Sequence, residues 1–156
     1  MAVYTTIDNP ELYFQVKLYT GSGSIQAITL DGDENMQPDF VWCKSRSENR
    51  HHYLADSIRG VKSRIRTDAN NGVYTADATN GFDSFDSDGF TLEEDDSSLG
   101  LNESSHTMVA YCWKAGTAFS NDASATSVGS IDSAGTINTT AGISIIEYSG
   151  TGSQGT

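Results

Sequence analysis

Apolar residues along this chain fall in short runs, alternating or continuous, each bounded by Gly, Asn, Asp or Ser. Such runs occur at 14–20 (FQVKLYT), 24–30 (SIQAITL), 39–45 (DFVWCKS), 89–94 (GFTLEE), 106–115 (HTMVAYCWKA) and 142–149 (GISIIEYS). Their length and their turn-forming borders predict β-strands. Gly21-Ser22-Gly23 separates the first two runs. Glycines there can take the positive φ of a tight turn, which predicts a hairpin joining those strands.

One segment argues for a helix. In LADSIRGVKSRI, Leu54, Ile58, Val61 and Ile65 recur at the spacing of an apolar stripe. Gly60 in its middle counts against a continuous helix, and Val61, Ser63 and Ile65 alternate with Lys62, Arg64 and Arg66 at a period of two. The expectation is a short helical turn followed by a strand.

After Gly116 the composition changes to small polar residues with few large apolar side chains. Such a stretch can bury little and should run extended. The chain therefore divides into a module at 1–118, an extended Gly/Ser/Thr-rich linker at 119–141 and a last strand at 142–156. ISIIEYSGTGS at 143–153 repeats the pattern of FQVKLYTGSGS at 14–24, with Tyr148 matching Tyr19 at an offset of 129. The expectation is a chain that stops one strand into a second copy. Ile143, Ile145, Ile146 and Tyr148 then mark an assembly strand, whose partner would be the first module, another chain or residues that follow.

Composition supports an all-β fold. Gly, Ser and Thr supply 51 of the 156 residues and Pro only two, a balance that suits short strands and turns. The length is that of one domain. A formal charge of -12 opposes binding to nucleic-acid phosphates or an anionic lipid surface, so no nucleic-acid partner is expected. No run approaches the roughly 18 to 20 apolar residues of a membrane span, and MAVYTTIDNP has neither a basic nor an apolar signal region. Cys43 and Cys112 sit 69 residues apart in apolar runs; buried free thiols are the main reading and a strand-to-strand disulfide the other.

Complete sites for chemistry do not emerge. Asp31-Gly-Asp33-Glu-Asn35 starts like a calcium loop but has Met36 where the sharp turn needs Gly and Trp42 where a bidentate Glu belongs. Asp86-Ser-Asp88-Gly is too short for a cage and reads as a turn. The histidines are His51, His52 and His106, too few and badly spaced for structural zinc, and no Gly-x-Ser-x-Gly elbow is present. Gly150-Thr-Gly152-Ser-Gln-Gly155 has the spelling of a dinucleotide loop, without a helix to follow it. No catalytic residue, metal or cofactor is therefore expected.

Surface contacts are better represented. Seven of the nine basic residues lie between Lys44 and Arg66, whereas 67–113 has none and carries the acidic run 93–96. Lys62, Arg64 and Arg66 are predicted to form a basic contact face leaning on that run or on a neighbour's, with a simple solvated face as the alternative. Trp42, Tyr53 and Tyr74, together with Trp113, are candidates for stacking on sugar rings, against the ordinary role of strand aromatics as core.

Four ordered motifs carry a resemblance: Gln37-Pro-Asp-Phe-Val-Trp-Cys-Lys-Ser-Arg46, His52-Tyr-Leu-Ala-Asp-Ser-Ile-Arg-Gly60, Phe85-Asp-Ser-Asp-Gly-Phe90 and Val109-Ala-Tyr-Cys-Trp-Lys-Ala-Gly116. Together they resemble an uncharacterised repeat domain of tailed-phage virion proteins, large and tail-fibre-like, many from marine phages. The resemblance covers roughly 3–118, and 127–153 is similar to the opening of the next repeat. Cys43 departs from the aliphatic residue usual there, which speaks against a required disulfide.

The resemblance implies a virion protein assembled in the host cytoplasm, an all-β module and a repeated, most simply trimeric, assembly with other virion proteins. The expected fold is an antiparallel β-sandwich of jelly-roll type. The expected function is a tail fibre or its particle-proximal N-terminal anchor, contributing to host adsorption and without enzymatic activity. A module binding host surface glycans and a head-fibre or capsid-decoration protein are the alternatives.

Overall fold

The computed structural model describes residues 7–75, 81–95 and 100–153. After a single 3-10 turn at Pro10–Leu12 come β1 (Phe14–Thr20), β2 (Gln26–Ile28), β3 (Phe40–Ser45), β4 (Tyr53–Asp56), β5 (Ser63–Arg66) and β6 (Tyr74–Thr75). They are followed by β7 (Phe82–Asp86), β8 (Gly89–Leu92), β9 (Thr107–Trp113) and β10 (Thr117–Asn121). One helical turn, α1 (Ala123–Thr126), precedes β11 (Ser133–Asn138) and β12 (Ile143–Tyr148).

Among the described residues the strands form three antiparallel sheets. Six strands run in the order β1-β9-β3-β4-β5-β6, three in the order β2-β8-β7 and three in the order β10-β11-β12. The first two sheets enclose the core of an all-β, antiparallel sandwich. Val41 and Cys43 of β3, Tyr53 and Ala55 of β4, and Met108, Ala110 and Cys112 of β9 supply one side. Ile28, Phe82, Phe90 and Leu92 supply the other, and Leu30, Met36 and Leu101 close the gaps. Tyr19 meets Phe90 edge to face, with ring centroids 6.2 Å apart. β9 is apolar from Met108 to Trp113 and pairs on both sides, with small Ala110 and Cys112 on the packed face.

The hairpin expected at 21–23 is a corner between sheets. β1 pairs with β9, and β2 pairs with β8 in the other layer. The chain turns there because the 102–106 loop holds it: Gly21 N–H donates to His106 O at 2.9 Å and Gly23 N–H to Asn102 O at 2.7 Å. Asn102 is fully buried, accepts from Ser22 N–H at 3.0 Å and donates to Ser24 O at 2.6 Å and Glu93 O at 2.9 Å. Nothing in the Gly-Ser-Gly triplet itself distinguishes a hairpin from a crossover. The loop that decides between them lies about 80 residues away.

The helical turn expected in LADSIRGVKSRI is also corrected. Tyr53–Asp56 is a strand and Ser63–Arg66 another, with hydrogen-bonded turns between them. The buried Asp56 carboxylate accepts from Ile58 N–H at 3.0 Å and Arg59 N–H at 2.9 Å and pairs with the Arg59 guanidinium. That local bonding competes with helix formation.

The stretch expected as a linker, 119–141, contains the end of β10, α1 and all of β11. Asp122 caps α1, accepting from Ser124 N–H at 3.0 Å and Ala125 N–H at 3.1 Å. The strand at 142–149 finds its partner inside that stretch: β12 pairs with β11 from Asn138↔Ile143 to Ser133↔Tyr148. Small polar residues are poor at filling a core but serve well in a narrow meander whose strands pair with one another. Asn138 Nδ2 ties the meander back to the sandwich by donating to Lys114 O at 3.2 Å.

Candidate functional site

The alternation in β1 runs opposite to the usual rule. Gln15 and Tyr19 face the core and Lys17 lies beside them, whereas Phe14, Val16 and Leu18 point outward, 38%, 44% and 54% exposed. The inward polar groups are satisfied. Gln15 Nε2 donates to Glu11 O at 3.0 Å and Glu34 O at 2.9 Å, its Oε1 accepts from Gly32 N–H at 3.0 Å, and Lys17 pairs with Asp31. These bonds strap the 31–35 loop to β1, Asp31 through its carboxylate and Gly32 and Glu34 through the backbone. Turning three apolar side chains to the outside therefore leaves no buried polar group wanting.

Neighbouring strands extend the same face. Register places Phe14, Trp113 and Phe40 in one row and Val16, Tyr111 and Trp42 in the next, followed by Leu54 and Ile65. Ring centroids lie 4.9 Å apart for Phe14 and Trp113, 5.1 Å for Phe40 and Trp113, and 5.4 Å for Trp42 and Tyr111, the last pair stacked at 28°. Apart from Val109, which is buried, these outer-face residues remain partly or largely exposed. The result is a contiguous aromatic and aliphatic surface on one side of the six-stranded sheet, of the kind that marks an interaction surface. Phe14, Val16, Leu18, Phe40 and Tyr111 were not legible as a surface while apolar strand positions were read as core. The signal was present: FQVKLYT places Gln and Lys opposite Phe, Val and Leu, so one face had to be misplaced.

Of the sugar-stacking candidates, Tyr53 is corrected, since it is only 1% exposed and its ring belongs to the core, whereas Trp113 lies on the outer face. Tyr74 is half-buried, with the Arg66 guanidinium 4.9 Å from its ring centroid. Trp42 belongs to the outer face and donates through Nε1 to Thr67 Oγ1 at 3.0 Å.

The basic candidates are brought together but not as an open patch. Arg64 and Arg66 alternate with Ile65 on β5 and project beside Tyr53, each with its guanidinium 5.7 Å from that ring. Arg64 is buried, and Arg66 Nε donates to the Tyr53 hydroxyl at 3.3 Å. Lys62, in the turn before β5, bonds Asp83 and Glu93, both at 2.7 Å. Glu93 opens the acidic run, and Asp96 lies outside the described residues. Partial burial disfavours the Lys62 charge, but the two carboxylates outweigh it and raise its pKa.

Cys43 and Cys112 are buried, free thiols on adjacent strands. Burial pushes Cys112 up to about 12 and, reinforced by Cys112, raises Cys43 well above its ordinary range. Neither is poised as a nucleophile. Asp86 accepts from Ser84 Oγ at 2.6 Å and Thr91 Oγ1 at 2.8 Å, holding the β7–β8 turn. His51 Nδ1 lies 3.0 Å from Asp68, His52 packs on Trp42, and His106 Nδ1 lies 3.1 Å from Glu103. Among the described residues no group of three or more His, Cys, Asp or Glu is placed to hold a metal ion. Among the described residues no helix is long and apolar enough to cross a membrane.

The assembly-strand candidates separate by face. Ile145 is buried and Ile143 half-buried, whereas Ile146 and Tyr148 are 51% and 68% exposed. β12 is the edge of its sheet. Of the Gly-x-Gly-x-x-Gly spelling, Gln154 and Gly155 lie outside the described residues.

A family model described as Domain of unknown function (DUF7483) matches residues 9–156, taking in both the sandwich and the meander. No curated protein and no solved structure matches the chain.

Proposed function

We propose that this chain, which belongs to the family described as Domain of unknown function (DUF7483), is a structural, non-enzymatic module of a tailed-phage virion. Its place is in a tail fibre or the fibre's particle-proximal N-terminal anchor, contributing to host adsorption. The observation that carries the structural part of this reading is the inverted β1, which directs Phe14, Val16 and Leu18 away from the core to continue the Phe40, Trp42, Tyr111 and Trp113 surface. An apolar face built at the expense of inward Gln and Lys suits burial against another copy of the chain, most simply in a trimer. The ordered motifs at 37–46, 52–60, 85–90 and 109–116 support the virion assignment. Antibodies against the chain, imaged on particles of the virus that encodes it, should decorate fibres; particles that carry none of the protein would contradict the reading.

The stacked Trp42 and Tyr111 rings favour one second reading, a glycan-binding adhesin. Quenching or shift of tryptophan fluorescence by an arrayed surface glycan, abolished by Trp42→Ala, would support it over assembly.

A further inference from the structure

Residues 143–153 and 14–24 share a turn as well as a sequence pattern. Gly23 has φ +77° and Gly152 φ +74°. Ser24 N–H donates to Ser22 Oγ at 3.2 Å, and Ser153 N–H donates to Thr151 Oγ1 at 3.4 Å. Ser22 Oγ donates to Ser24 O, and Thr151 Oγ1 to Ser153 O.

In the first segment every special residue is used. Tyr19 is 9% exposed and its hydroxyl donates to Leu101 O at 2.8 Å. A Cβ on Gly21 would lie 2.2 Å from Glu103 O, so only glycine fits against that loop. In the second segment the matching residues have nothing to act on. Tyr148 is 68% exposed, and Ile146, at the place of the inward Lys17, is 51% exposed. Gly150, at the place of Gly21, has ordinary φ and no atom within 4 Å of the position of a Cβ.

We infer that residues 143–153 are the first strand and corner of a second copy of this sandwich, carried by the same polypeptide. The face of β12 left open is the face that β1 turns to its core, and the open space at Gly150 has room for a carbonyl equivalent to that of Glu103 at Gly21. A separate chain is not the occupant, because its own β1 already pairs with β9 from Phe14↔Trp113 to Thr20↔Thr107 and fills the seat. The inference goes beyond the virion reading and does not depend on it: its failure would leave the outer face of the six-stranded sheet as it is.

The test is a tandem polypeptide in which residues 1–153 run directly into a second stretch 25–118 of the same sequence, compared with the 156-residue chain. Tyrosine nitration followed by peptide mass spectrometry reads each ring separately. Tyr148 should react readily in the single chain and, in the tandem, as slowly as Tyr19. Gly150→Val should leave the melting temperature of the single chain unchanged and restore Tyr148 reactivity in the tandem. Equal Tyr148 reactivity in tandem and single chain overturns the inference, as does a tandem whose Tyr148 stays protected with Val at 150.

Discussion

Trp113 packs against Phe14 at 4.9 Å on one side and Phe40 at 5.1 Å on the other, joining three strands across the outer face of the six-stranded sheet. Cross-strand aromatic pairs contribute beyond the area they bury, each by about 0.5–1.5 kcal/mol. Trp113→Ala should therefore lower stability by about 2 kcal/mol. Urea denaturation measures this, and a loss below a few tenths would mean that the row holds nothing together.

Asn102 is the second point of dependence, because it bonds both sides of the corner after β1. Asn102→Leu fills similar space but leaves Ser24 O, Glu93 O and Ser22 N–H without their partner. These partners are only partly buried, so each lost bond costs nearer the net worth of a hydrogen bond, about 0.5–1.5 kcal/mol. The variant should lose about 2–3 kcal/mol, read as a lowered urea midpoint. Asn102→Asp keeps the acceptor but sets a carboxylate oxygen against Ser24 O and Glu93 O, so at neutral pH it should be at least as destabilised as the Leu variant in the same denaturation experiment.

The buried thiols set an alkaline limit. Burial raises both pKa values, Cys112 to about 12, so the folded state holds protons that the unfolded chain releases from about pH 9. The contribution to stability is complete below that pH and is lost as pH rises toward the folded values. One such thiol changes stability by about 1.4 kcal/mol per pH unit across that window. Unfolding free energies measured from pH 8 to 11 should fall in the native chain and flatten in the Cys43→Ala/Cys112→Ala double variant. Tyr19, also raised by burial, leaves a residual slope.

Lys62 links β5 to the other sheet through Asp83 and Glu93. The Lys62 hydrogen bond holds Asp83 below the usual carboxylate range, a contribution present at neutral pH and lost as pH falls through the lowered value. Lys62's own raised pKa acts at the other end, its contribution being lost as pH rises through that value. Asp83 is 42% exposed, so solvent screens the pair. Lys62→Met should cost about 1 kcal/mol or less at neutral pH, with the difference from wild type shrinking in high salt.

How far the sequence could be read depended on how local the deciding contacts are. The strands β1, β3, β9 and β12 were legible because each is a dense apolar run. The turn at 21–23 was legible as a turn but not as a corner, since Asn102 and His106 decide it from far along the chain. β11, spelled SAGTIN, carries almost no hydrophobic signal and exists because β10 and β12 pair with it on both sides. Tyr53 could not be told from Trp42 as a sugar platform: both are strand aromatics, and only sheet pairing shows that they point to opposite faces. The outer face itself was written in the alternation of FQVKLYT, which assigns Gln and Lys to the side opposite Phe, Val and Leu.

The outer face as a contact between copies is tested most directly by sedimentation equilibrium of the whole chain beside the Val16→Lys/Leu18→Lys double variant. Both side chains are about half exposed, so the substitutions should change folding stability by only about 0.5 kcal/mol. The wild-type chain should associate with rising concentration toward three chain masses, and the double variant should remain a monomer over the same range. A wild-type chain that stays monomeric throughout, or a double variant that associates equally well, would contradict the account.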